Sequence, residues 1–194
     1  MQAERVIIGI DPGTTVMGFG VIRVRGSVVQ LLEAGAERLA GLDDHTSRLH
    51  TIFHRVAGLI QQHGVQELAI EAQFFGKNVQ SMLKLGRAQG VAIAAALQAG
   101  LPVVEYAPMR VKQSVTGNGA ASKEQVAAML LHILGVPDLP SSADATDALA
   151  VAVCHHFAAG ASGIIAPRSG SGLRKGTSDW GSFVRNNPGR IKGS

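Results

Sequence analysis

The stretch Arg5-Val-Ile-Ile-Gly-Ile-Asp11, closed by Pro12-Gly13, is a short unbroken apolar run that stops on a carboxylate and a turn. A run of this length reads as a buried central strand, and it puts Asp11 at the strand's C-terminal edge. Working outward, Gly18 to Val24 and Val28 to Ala34 are β-rich runs joined at Arg25-Gly26-Ser27, which predicts three consecutive antiparallel strands. From His45 to His63, residues Leu49, Ile52, Phe53, Val56, Leu59 and Ile60 recur at helical spacing, with Asp43 or Asp44 as cap and Gly64 as stop. Glu67-Leu-Ala-Ile-Glu71 reads as another buried strand, Val79 to Ala99 as a long helix of small side chains, and Pro102 to Tyr106 as the fifth strand. Ser122 to Leu134 and Ser142 to Phe157 read as two closing helices with Gly135, Pro137 and Pro140 between them. The predicted order is β-β-β-α-β-α-β-α-α-α, in which the first of the last three helices has no assigned bounds.

Length and composition agree with one α/β domain. The 194 residues, 46% of them hydrophobic, suffice for a single core, and with only 4% aromatics that core must be aliphatic. One cysteine, Cys154, excludes an internal disulfide framework and a multi-cysteine zinc site, and reads as a core residue. Apolar runs fall well short of the roughly 20 residues of a membrane helix, and no signal-peptide pattern opens the chain, so a soluble cytoplasmic protein is expected.

Charge divides the chain. Residues 1 to 159 hold 12 Lys and Arg against 13 Asp and Glu, whereas residues 160 to 194 hold 6 against 1 and include 8 Gly and 6 Ser. The predicted organisation is a folded domain over 1–159 and a basic, disordered tail over 160–194 that adds salt-sensitive DNA affinity. Within the body, Lys77, Lys84, Arg87, Arg110, Lys112 and Lys123 face only Glu105, a basic zone suited to a polyanion.

Four acids stand where solubility would not put them. Asp11 and Glu71 end apolar strands and share one sheet edge if those strands are parallel neighbours, while Asp144 and Asp147 lie one turn apart on a helix whose apolar face continues into Leu149 to Val153. Singly, Asp11 reads equally well as a turn residue, Glu71 as a solvent-facing strand end and Asp144 as a first-turn acid favoured by the helix dipole. Together they form a like-charge cluster that needs protons or cations to persist. An all-oxygen donor set favours Mg²⁺ or Mn²⁺, and two such ions about 4 Å apart suit phosphodiester hydrolysis.

Ile8-Gly-Ile-Asp-Pro-Gly-Thr14, Gly18-Phe-Gly-Val21, Ala69-Ile-Glu71, Phe74 with Lys77-Asn78, Leu83-Lys-Leu-Gly86, Val111-Lys-Gln113 and Ala143-Asp-Ala-Thr-Asp-Ala-Leu-Ala150 together resemble the RuvC Holliday junction resolvases. The resemblance runs in order over residues 5 to 158. It implies an RNase H-like fold with a five-stranded mixed sheet flanked by helices. It also implies a homodimer, and symmetric nicking of four-way DNA junctions that needs two Mg²⁺ or Mn²⁺ ions and leaves 5′-phosphate and 3′-hydroxyl ends in recombination and repair. RuvA and RuvB are the partners it implies. It places catalysis and metal binding on Asp11, Glu71, Asp144 and Asp147, brings Lys112 and Lys123 to the scissile phosphate, and puts a base-stacking ring at Phe74. The chain departs from the family pattern after the second acid, where it reads Glu71-Ala-Gln-Phe-Phe with Gln73 displaced, and the resemblance does not reach the tail beyond Gly160.

Phe75, Lys77, Asn78, Lys84 and Arg87 complete the expected DNA surface. Stacking on a splayed base contributes roughly 1–3 kcal/mol, and of the pair Phe74 and Phe75 one ring is expected outward and one in the core. Gly86, Gly90 and Ala94 recur every four residues, a ridge that fits either a twofold partner helix or the parent sheet. His155 and His156 read as residues near a helix C-terminus. Two rival classes fit less of the chain. An actin-like ATPase would use the Asp-Pro-Gly-Thr-Thr loop but needs a second domain copy, and a noncatalytic junction binder would have lost an acid.

Overall fold

The computed structural model describes residues 4–42, 44–73 and 78–161, with side chains described to 159. Phe74, Phe75, Lys77, Asp43 and nearly all of the predicted tail lie outside the described residues. Five strands and five helices follow in the predicted order: β1 (Glu4–Asp11), β2 (Val16–Arg25), β3 (Val28–Arg38), α1 (His45–His63), β4 (Glu67–Glu71), α2 (Val79–Gln98), β5 (Val103–Tyr106), α3 (Pro108–Thr116), α4 (Lys123–Leu134) and α5 (Ala143–Ala161). The helix without assigned bounds is α3. Its nine residues are too short for a clear period, and its local signals are Pro108 at the start and Gly117 at the close.

The sheet order is β3-β2-β1-β4-β5, antiparallel from β3 to β1 and parallel from β1 through β4 to β5. This mixed sheet is the RNase H-like arrangement. Helices α1 and α2 cover one face over Ile8, Ile10, Val21, Leu68 and Ile70. Helices α3, α4 and α5 cover the other, over Ile7, Ile22 and Ala69, and Cys154 lies fully buried there. Because side chains alternate along a strand, β1 serves both layers, which is why its sequence is apolar without interruption.

Caps fix the helix ends that bear on function. Asp44 caps α1, its Oδ1 accepting from the Ser47 amide at 2.6 Å, and Gly64 closes that helix. Ser122 and Gln125 form a reciprocal capping box at α4, so the chain enters that helix rigidly just before Lys123. Helix α5 lies directly on β1 and β2 because the strands carry glycines beneath it. A Cβ on Gly9 would sit 2.1 Å from the Ala148 carbonyl oxygen, and one on Gly18 only 2.0 Å from that of Asp144.

Candidate active site

Strands β1 and β4 are parallel neighbours with Ile10 paired to Ile70, so the next residues, Asp11 and Glu71, emerge side by side at one end of the sheet. Helix α5 crosses the same end with its first two turns, resting Asp144 over Gly18 and Ala148, the neighbour of Asp147, over Gly9. All four acids meet there, although they come from stretches of chain up to 136 positions apart.

The electrostatics report that meeting. Burial lifts the Asp11 carboxyl to about 7, and the negative charges of Glu71, Asp147 and Asp144 add to the rise while Lys123 opposes it. Glu71 is raised by burial and by Asp147, against Lys123 and Lys112. Lys123 Nζ donates to Asp147 Oδ2 at 2.6 Å, and that bond raises the lysine. Ser142 Oγ donates to Asp144 Oδ2 at 3.3 Å. Lys112 on α3 and Lys123 on α4 are thus the cations that face the acids.

Among the described residues, no three His, Cys, Asp or Glu side chains stand close enough to grip one ion as they are. The four carboxylates share one electrostatic field. Bare acids repel at short range, and Asp147 is paired with an ammonium. The donor chemistry fits a hard divalent cation: oxygen ligands only, one of them raised to about 7 by burial and by the neighbouring acids, and a lysine paired with another as counter-ion.

The remaining sequence candidates are distributed as follows. Asn78 Oδ1 accepts from the Ser81 amide at 3.1 Å and caps α2, a structural role that its assignment as a DNA contact overlooked. Lys84 and Arg87 are exposed on α2. Gln73 is half-buried. Glu105, the acid opposing the basic zone, accepts from Gln89 Nε2 at 2.8 Å.

His155 overturns its reading as a helix-end residue. It sits within α5 and is buried, with Nε2 2.7 Å from Glu67 Oε2 and Nδ1 2.8 Å from the Tyr106 hydroxyl. Arg5 donates to both Glu67 oxygens, Nε and Nη2 at 2.6 Å each. The Arg5 bonds hold the Glu67 carboxyl down at about 2, aided by His155 against the cost of burial, and burial pushes Tyr106 up to about 12. The signal was present but faint: Arg5 and Glu67 lie an even number of residues from Asp11 and Glu71, hence on the same sheet face.

The crossover junction endodeoxyribonuclease RuvC family model matches residues 7–155. The chain belongs to the RuvC family. Among its relatives, the RuvC of Porphyromonas gingivalis is 54% identical over 97% of this chain and 98% of its own length. That of Cytophaga hutchinsonii is 50% identical over 97% of this chain and 89% of its own. Thermus thermophilus RuvC, solved in complex with a Holliday junction substrate, superposes with a TM-score of 0.76 at 38% identity, covering 80% of this chain and 94% of that one. RuvC nucleases are divalent-metal dependent. Coverage of 97% also corrects one expectation: most of the 35-residue segment beyond position 159 has a counterpart in these RuvC relatives, although the motifs did not reach it.

Proposed function

We propose that this RuvC protein is a crossover junction endodeoxyribonuclease that nicks two opposed strands of a four-way DNA junction symmetrically, leaving 5′-phosphate and 3′-hydroxyl ends. The observation that carries the reading is the convergence of Asp11, Glu71, Asp144 and Asp147 at one sheet edge, with Lys112 and Lys123 facing them. Asp11, Glu71, Asp144 and Asp147 would hold two Mg²⁺ or Mn²⁺ ions, which when bound activate a water and stabilise the leaving oxygen. Asp11, raised by burial and by all three of the other acids, would be the ligand shared between the two ions. Lys112 and Lys123 contribute positive charge where the phosphate gains negative charge in the transition state. Phe74 and Phe75, with Lys77, Asn78, Lys84 and Arg87, form the surface for unpaired bases and backbone near the crossover.

A homodimer would present two equivalent sites to a twofold substrate. The outer face of α2 supports it: Gly86, Gly90 and Ala94 are exposed between Leu83 and Leu97, which are 54% and 60% exposed, so the ridge does not pack on the parent sheet. RuvA and RuvB are the expected branch-migration partners. No helix among the described residues is long and apolar enough to cross a membrane, and an enzyme of DNA repair is read as cytoplasmic. Residues 1–159 are read as the nuclease domain and 160–194 as a basic appendage that adds salt-dependent affinity.

The test is single-turnover cleavage of a synthetic four-way junction, mapped to the nucleotide, with Mg²⁺ and Mn²⁺ compared. Asp11→Asn and Asp147→Asn should each slow nicking by about 10²–10³-fold or more while junction binding persists. Nicking at the normal rate by either variant would overturn the assignment.

A further inference from the structure

The acids are flanked by two depressions, only one of which belongs to the basic zone already described. A depression of about 190 Å³ carries Lys123, Thr146 and Asp147. On the other flank lies an open groove of about 570 Å³ lined by Thr15, Gly35, Arg38, Ser141, Ser142 and Asp144 among others. Ala143, in the first turn of α5, lines both, so the two depressions meet across the acid end of that helix. A strand laid over the acids from the Lys123 side must leave along this groove or rise away from the protein.

Arg38 distinguishes the groove from ordinary surface. It ends β3, opposite Val16 of β2. The other described arginines of this half of the chain are engaged: Arg5 by Glu67, Arg23 and Arg25 by Glu4, Arg55 by Glu33, and Arg48 by the Thr14 carbonyl. The Arg38 side chain alone among them makes no hydrogen bond or ion pair with any described residue, and it is exposed. Thr15, Ser141 and Ser142 add hydroxyl groups, while Gly35 and Ala36 leave room above the strand. Asp144, the one described acid lining the groove, belongs to the acid cluster, and its carboxylate takes the Ser142 hydroxyl. The charge therefore runs from negative at the acids to positive at Arg38, the polarity needed by a chain whose scissile phosphate sits over cations and whose next phosphate requires a cation of the protein's own. A guanidinium with free donors matches a phosphodiester in a way that an ammonium cannot.

We propose that this groove holds the phosphodiester adjoining the scissile one, on the flank away from Lys123, with Arg38 as its charged contact. The inference rests on the nuclease reading and deepens it by assigning the strand a path on both sides of the acids.

The experiment uses the full chain with a four-way junction in EDTA, so that binding is read apart from metal and cleavage. Affinity is measured from low to moderate salt for wild type, Arg38→Ala and Arg38→Lys, together with interference by ethylation of single phosphates. Arg38→Ala should weaken binding about 5- to 30-fold and reduce the slope of log affinity against log salt by about one. Ethylation of the phosphate next to the cut should impair binding of wild type and have no effect on Arg38→Ala. Arg38→Lys should keep the salt slope and recover only part of the affinity. An unchanged slope and an unchanged interference pattern in an Arg38→Ala protein of normal melting temperature would overturn the proposal. An Arg38-dependent interference site in a wild-type protein that fails to cut with Mg²⁺ or Mn²⁺ would instead count against the nuclease reading alone.

Discussion

Helix α5 makes two polar contacts with the same face of the same strands, and they are opposites. At its N-terminal end Asp144 and Asp147 meet Asp11 and Glu71, and burial together with the crowded negative charge raises Asp11 and Glu71. Two turns further on, His155 meets Glu67, which Arg5 grips with two bonds and Tyr106 completes through the imidazole. Spacing is repeated, since Glu67 and Glu71 are four residues apart on β4, and His155 follows Asp147 by eight on the helix. Only the partners differ. The matched end helps fix the helix; the crowded end carries unfavourable charge that a divalent cation can relieve.

The sharpest way to break the comparison is to move the acid end without touching an acid. Gly18→Ala places a Cβ against the Asp144 carbonyl oxygen, so the first turn of α5 must shift. Nicking should fall at least about tenfold in single-turnover assays, since misplacement by about 1 Å can cost 10²-fold. The melting temperature should change by less than the activity loss would suggest, and His155 should keep its contacts.

Breaking the matched end should do the reverse. Glu67→Ala leaves Arg5 and His155 without their shared acceptor and should destabilise the protein by about 2–3 kcal/mol, below the value for a fully buried pair because both side chains are about one-fifth exposed. Urea unfolding checks it, and the maximal nicking rate of the folded fraction should change little.

The two ends should also answer pH with opposite sign. The Asp11 carboxyl is raised in the fold, so ionising it costs stability progressively as pH rises from about 4 to about 7, and the whole cost remains above that. In EDTA at pH 8, Asp11→Asn should therefore be more stable than wild type by about 1–2 kcal/mol after allowance for the group's partial exposure, and the gain should vanish near pH 4. Glu67 is lowered instead: its contribution is complete above its ordinary value of 4.5 and is lost as pH falls towards about 2. Thermal melts of wild type and Glu67→Gln should thus converge in acid. The smallest effect expected is on metal uptake: near pH 6, binding of Mg²⁺ or Mn²⁺ should release about one proton from Asp11, and by pH 8 almost none. Titration in two buffers of different ionisation enthalpy measures it.

Much of this was legible in the chain. Hydrophobic period gave α1 and β4 at their observed bounds, and placed Asp11 and Glu71 at strand ends, because both are properties of neighbouring residues. Lys112 and Lys123 came from the family motifs and proved to face the acids. His155 was misread because burial of a polar residue depends on who stands opposite, and Glu67 is 88 positions away. The capping role of Asn78 was not read, because a capping side chain and a binding side chain look alike until the helix start is fixed.

The sequence by itself determined the order of elements, the aliphatic core and the four acids, since each follows from local pattern or composition. Tertiary structure decided which face of α2 stays exposed, how closely α5 rests on Gly9 and Gly18, and that Arg38 opens onto the groove beside Asp144. Those outcomes depend on distances between remote stretches of chain, and distance is set by packing, which no window of neighbouring residues contains.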